Sequence, residues 1–148
     1  MRRCRFVLLI SLALVSVLFL CGGKQGRTAA AFAHSRLQFE QAAMQVLERG
    51  TTQGVECPKG VRSVQLWTGS DGRETVVEFL CGAGGWGSST RYWGVNYVVN
   101  DVPVGFQDFH TEYWKKEGSG TRFYEVEGDN TCYVERLEKN WYYFDMKF

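Results

Sequence analysis

The sequence has only two histidines and two prolines in 148 residues, and its basic and acidic side chains nearly cancel, 17 against 16. His34 and His110 are therefore the only imidazoles to serve as a general base or metal ligand, and no metal or other cofactor is expected. There is no G-x-S-x-G elbow to present a serine nucleophile, no repeat of solenoid length and no low-complexity tract. Charge excludes another class. Without Arg2, Arg3 and Arg5 the chain carries 14 basic against 16 acidic side chains and no polybasic strip, so a nucleic-acid partner is not expected.

What is present first is an uncharged apolar run of 16 residues, Phe6 to Cys21, behind Arg2, Arg3 and Arg5. Its length lies near the lower end of the roughly 17 to 25 residues of membrane-spanning helices. The arginines keep the amino terminus on the cytoplasmic side. Residues 1–23 thus read as a single-pass signal-anchor in the plasma membrane, with everything after Lys24 outside. A cleaved secretory signal, with small residues at Cys21 and Gly23, is the alternative and would release the domain. A lipoprotein needs a small residue before the acylated cysteine, where this chain has Leu20.

About 125 residues remain, enough for one domain with its own core. Lys24–Thr28 is expected as a polar spacer and 29–148 as an extracytoplasmic α+β domain, one amphipathic helix on a mostly antiparallel sheet. Thr28 is a fair N-cap for a helix over 29–49, and Gly50 a terminator. Phe32, Phe39, Ala43 and Val46 form one apolar stripe at helical spacing, and Ala33, Leu37, Met44 and Leu47 a second.

The remainder is rich in aromatic residues with strand-like alternation. Val61–Trp67 and Glu74–Cys81 read as a hairpin about Gly69–Gly72. Placing Trp67 opposite Glu74 puts Val64, Leu66, Val77 and Phe79 on one face. It also brings Cys81 opposite Gly60, near Cys57, which makes Cys57–Cys81 the expected disulfide of the three cysteines after Lys24. Gly82–Thr90, GAGGWGSST, reads as a flexible connection, because a strand follows it and no helix opens there to cradle a phosphate. It presents Trp86, Ser88, Ser89 and Arg91. In the next strand, 91–99, Trp93, Val95, Tyr97 and Val99 share a face. Val104–Gln107 is expected as a short edge strand and Phe109–Trp114 as irregular or a brief helical turn. A hairpin over 121–127 and 131–137 precedes a final strand over 141–148, whose Tyr142, Phe144, Met146 and Phe148 point into the core.

Asp108, His110 and Glu112, with Asp101 nearby, form the best polar constellation for acid-base or metal chemistry. A single imidazole between carboxylates makes a thin case for catalysis. The stretches Gly84–Gly94, Asp101–Gln107, Gly128-Asp129-Asn130 ahead of Tyr133, and Asn140–Phe144 together resemble a family of short, membrane-anchored bacterial extracytoplasmic proteins without an assigned activity. The resemblance implies a bacterial envelope location and transfers no catalytic residue; the cysteines are not part of its pattern. The leading expectation is a non-catalytic binding module whose Trp86, Ser88, Ser89, Arg91, Tyr92 and Trp114 meet a glycan or protein partner. The alternatives are a small hydrolase using His110 with Asp108, and a structural subunit of a membrane complex.

Overall fold

A computed structural model describes residues 23–68, 74–86, 89–107, 111–125 and 128–148. Two helices, α1 (Lys24–His34) and α2 (Arg36–Arg49), precede seven strands: β1 (Ser63–Thr68), β2 (Thr75–Trp86), β3 (Ser89–Val98), β4 (Thr111–Glu117), β5 (Gly120–Glu125), β6 (Thr131–Glu138) and β7 (Trp141–Lys147). The strands form one sheet in the order β1-β2-β3-β7-β6-β5-β4, every pair antiparallel. The fold is α+β and mostly β. Among the described residues no helix is long and apolar enough to cross a membrane, and the run Phe6–Cys21 lies outside them.

The helical region starts earlier than expected and is divided. Lys24–Thr28, expected as a spacer, is the first turn of α1. Thr28 is no cap: its hydroxyl donates to the Lys24 carbonyl at 2.9 Å, the back-bond of a residue already inside a helix. Ser35 departs to φ −108°, ψ 21°, and its N–H reaches both the Ala31 and Phe32 carbonyls, which divides the expected single helix in two. Gly50 ends α2 in the left-handed region at φ 65°. Of the two stripes, Phe32, Phe39, Ala43 and Val46 are buried, whereas Leu37 and Met44 are exposed, so the buried face is narrower than the sequence suggests.

The β1–β2 pairing is displaced two residues from expectation, with Trp67 opposite Val76 and Val64 opposite Phe79. A slip of two leaves the faces unchanged, since side chains alternate with period two. Val64, Leu66, Val77 and Phe79 share the face under the helices. The expected turn Gly69–Gly72 lies outside the described residues. Gly82–Thr90 is no long loop. β2 continues to Trp86, which pairs with Ser89 of β3. Glycine serves close approach here: a Cβ on Gly82 would lie 2.2 Å from the Trp93 ring. Val99 is exposed just beyond β3, off the expected face. Thr111–Glu117 is a full edge strand, where irregular chain was expected, and Val104–Gln107 is no strand.

The three cysteines among the described residues are free, so the expected Cys57–Cys81 disulfide is absent. The displaced register accounts for it. With Ser63 opposite Leu80, Cys81 comes level with Arg62, farther along from Cys57, which lies exposed beside α2.

β7 is last in the chain and central in the sheet, so both its faces are buried. Trp141 meets the rings of Phe32, Phe39, Phe79 and Tyr97 under the helices. Tyr142, Phe144 and Met146 belong to a second cluster on the opposite face, with Val76, Val98 and Phe123. Neither of the two described helices covers that face. Residues 99–107 cross it instead, with Val104 buried against the cluster and Phe106 packed beside it. A Cβ on Gly105 would lie 2.7 Å from the Phe123 side chain, so only glycine lets the backbone lie that close. The crossing begins at a clamp. The Asp101 carboxylate accepts from the Asn140 N–H at 2.7 Å, the Tyr142 hydroxyl at 3.0 Å and Arg136.

Candidate functional site: a cavity on the helix-free face

Of the six residues expected to form one binding surface five are described, and of these Trp86 and Ser89 are brought together, as cross-strand partners, while the others are dispersed. Trp86 is 96% exposed at the end of β2, and Trp114 is exposed on β4, five strand positions away in the sheet. Arg91 and Tyr92, adjacent on β3, point to opposite faces. Arg91 lies under the start of α1, bound to Asp145 through two hydrogen bonds. Tyr92 lies edge-on to Phe148 on the helix-free side. Ser89 is exposed at the start of β3, and Ser88 lies outside the described residues, as do Asp108 and His110 and the side chain of Glu112. Asp101 is fully engaged in its clamp. The Asn140 N–H foremost, with Tyr142 and Arg136, holds its carboxyl below the usual carboxylate range.

Among the described residues, three spaces reach about 450 Å³ or more; the one beside α2 is walled mainly by polar side chains such as Gln38, Gln41, Glu56 and Lys59, and two others lie against the sheet. The first, about 800 Å³, opens between the beginning of α1 and the sheet. Its carboxylates are already occupied: Asp145 by Arg91, Glu117 by Arg122, and Glu135 by Tyr133 at 2.5 Å and Gln25 at 2.6 Å. Gln25 in that network ties α1 to the sheet, and each of these three carboxylates already has a donor.

The second, about 450 Å³, lies between the helix-free face and the crossing segment. Leu80, Tyr92, Met146, Phe148 and Phe106 make its apolar walls, with Gln65, Gln107 and Glu125 among them. The rings of Tyr92 and Phe106 stand edge-on to Phe148, at centroid distances of 5.8 and 6.3 Å. Glu78 also lines it, only 4% exposed. Its Oε2 has no hydrogen-bond partner among the described residues, and neither has Oδ1 of Asn96, its cross-strand neighbour on β3. Burial pushes the Glu78 carboxyl above the usual carboxylate range, against the opposing effect of hydrogen bonds from Gln107 and Trp67. Gln107 also donates to Gln65 at 3.1 Å, which fastens the crossing segment to β1 beside the acid.

This combination meets the physical description of a small-molecule site: a partly enclosed apolar space of several hundred Å³ with one polar group left open. A buried acceptor without a donor costs about 1–3 kcal/mol, so its persistence beside a cavity asks for a reason. Burial pushes the Cys81 thiol up to about 11 and raises Cys132, Tyr142 and Tyr143 as well, so none of these is an activated nucleophile. Among the described residues no three His, Cys, Asp or Glu side chains are grouped to hold a metal ion.

Glu78 is the residue that reading the sequence by motif passes over. Its signal is a single acid inside the apolar strand TVVEFLC, on the same side as Val76 and Leu80. The comparisons give the chain no relatives to reason from: no protein-family model, curated protein or solved structure matches it.

Proposed function

We propose that this chain is a non-catalytic binding module, held outside a bacterial membrane by its amino-terminal segment, and that it binds a small molecule in the cavity beside Glu78. One observation carries this: a buried carboxyl oxygen without a hydrogen-bond partner among the described residues faces a cavity walled by aromatic and aliphatic side chains. The basic residues Arg2, Arg3 and Arg5 ahead of the apolar run support the location. The test is a fragment screen by saturation-transfer NMR on the full-length chain in lipid nanodiscs. Fragments bind the parent protein and are lost in Leu80→Phe, which fills the cavity, and independently in Met146→Phe. Unchanged melting temperatures show that both variants are folded. Fragments that bind both variants as well as the parent would place the site elsewhere and overturn the reading.

A further inference from the structure

The lining of the cavity is chemically one-sided. Glu78 and Glu125 contribute carboxyl groups, and among the described residues no lysine or arginine lines it. Asn130 Nδ2 donates to Glu125 Oε2 at 2.6 Å, which fixes that side chain. Three aromatic rings, Tyr92, Phe106 and Phe148, stand together in the same space. Ring faces and carboxylates both attract a cation, and the attraction grows when water is excluded. An anion entering here would meet two acids and, among the described residues, no lysine or arginine. An uncharged apolar molecule would fill the walls and leave Glu78 Oε2 without a donor.

Resting on the cavity as the binding site, we propose that its ligand is an organic ammonium ion, a protonated amine on a flat apolar body. Its N–H donates to Glu78 Oε2 and its charge lies against the rings of Tyr92, Phe106 and Phe148. Such a group supplies a donor to Glu78 Oε2 once that carboxyl is ionised, and the charge that the lining favours. The apolar body occupies the wall formed by Leu80 and Met146.

Ionisation of Glu78 is coupled to this binding. The groups facing it are Trp67 from β1, Asn96 from β3, Cys132 from β6, Gln107 from the crossing segment and Glu125 from β5. With no fixed cation among them, the acid resists losing its proton in the empty site. An arriving ammonium stabilises the carboxylate, and that proton passes to the buffer.

Calorimetric titration of the full-length chain in lipid nanodiscs tests the assignment with three probes of one shape: 2-phenylethylammonium, 2-phenylethanol and 3-phenylpropanoate. The cation is expected to bind at least about tenfold more tightly than the alcohol, as a desolvated cation–π contact and a charge-assisted hydrogen bond imply. The propanoate should bind least. Glu78→Gln, which keeps the shape, should bring the cation down to the alcohol's affinity and leave the alcohol unchanged. The heat of cation binding should also vary with the buffer's ionisation enthalpy, which reports the released proton. If the alcohol binds as tightly as the cation and both are lost in Leu80→Phe, the cavity is a site and the ammonium assignment is wrong. Preference for the propanoate also overturns the ammonium assignment. If no probe binds the parent protein, or binding survives Leu80→Phe, the cavity reading falls with it.

Discussion

Among single residues, the cysteines show most plainly how position decides chemistry. Cys57 is exposed in the loop beside α2, Cys81 is half-buried on β2 and Cys132 is fully buried on β6. The thiolate is the reactive form, and burial opposes it. It pushes Cys81 up to about 11 and Cys132 further, where the carboxyl groups of Glu78 and Asp145 add to the effect. Brief alkylation of the folded protein with iodoacetamide at pH 8, read by peptide mass spectrometry, should therefore modify Cys57 and leave Cys81 and Cys132 largely untouched. Denaturant should expose all three. A peptide in which Cys57 and Cys81 are joined would show that the register of β1 on β2 is wrong, because that register separates them. Tryptophans divide in the same way. Trp86, in the glycine-rich stretch GAGGWGSST, is 96% exposed, and Trp141, at the head of the aromatic run WYYF, 1%.

At the scale of elements, β7 holds the fold together. It lies between β3 and β6, and Trp141 at its start is the point where both helices meet the sheet. Trp141→Ala removes the side chain around which Phe32, Phe39, Phe79 and Tyr97 pack, and it should cost about 3–5 kcal/mol in urea unfolding. Trp86→Ala, at an exposed position, should stay within about 0.5 kcal/mol. Equal costs would mean that the helices do not pack on Trp141 as described. The importance of the last strand was legible in its unbroken aromatic alternation, as were the helix stripe through Phe32, Phe39 and Val46 and the hairpin of β5 and β6. The central position of β7 was not, because strand order depends on pairings between distant segments that periodicity does not encode. The strand in Thr111–Glu117 was obscured by its own surface: at an edge, Tyr113 to Glu117 are exposed and show no buried alternation. The glycines of Gly82–Thr90 pointed to a loop, since sequence cannot distinguish a glycine needed for freedom from one needed to admit a ring such as Trp93. The cavity was hidden for a related reason, as its walls come from β1, β2, β3, β5, β7 and the crossing segment.

Over the whole molecule, Glu78 links stability to pH in the sense opposite to most carboxylates. Asp101 and Glu117 have folded-state pKa values below their usual ones, led respectively by the Asn140 N–H and the Arg122 guanidinium. Their contributions are present above the unfolded pKa and are lost as the solution becomes acid. For Glu78 the folded value lies above 4.5, chiefly through burial. The folded protein therefore holds this proton more tightly than the unfolded chain does. Its contribution is complete below about pH 4.5 and declines as pH rises through the folded-state value. Glu78→Gln keeps the shape and removes the titration, so the informative quantity is the difference in unfolding free energy between parent and variant across pH 4 to 9. That difference should move steadily in favour of the variant as pH rises, while the contributions of Asp101, Glu117 and the other carboxylates cancel. A flat difference would mean that Glu78 is not buried in an apolar surrounding. A difference moving in favour of the parent would mean that the folded protein already supplies a cation to the carboxylate. Repeating the series with 2-phenylethylammonium present ties the two scales together. A bound ammonium lowers the folded-state pKa of Glu78, so the parent should regain stability at neutral pH where the variant does not.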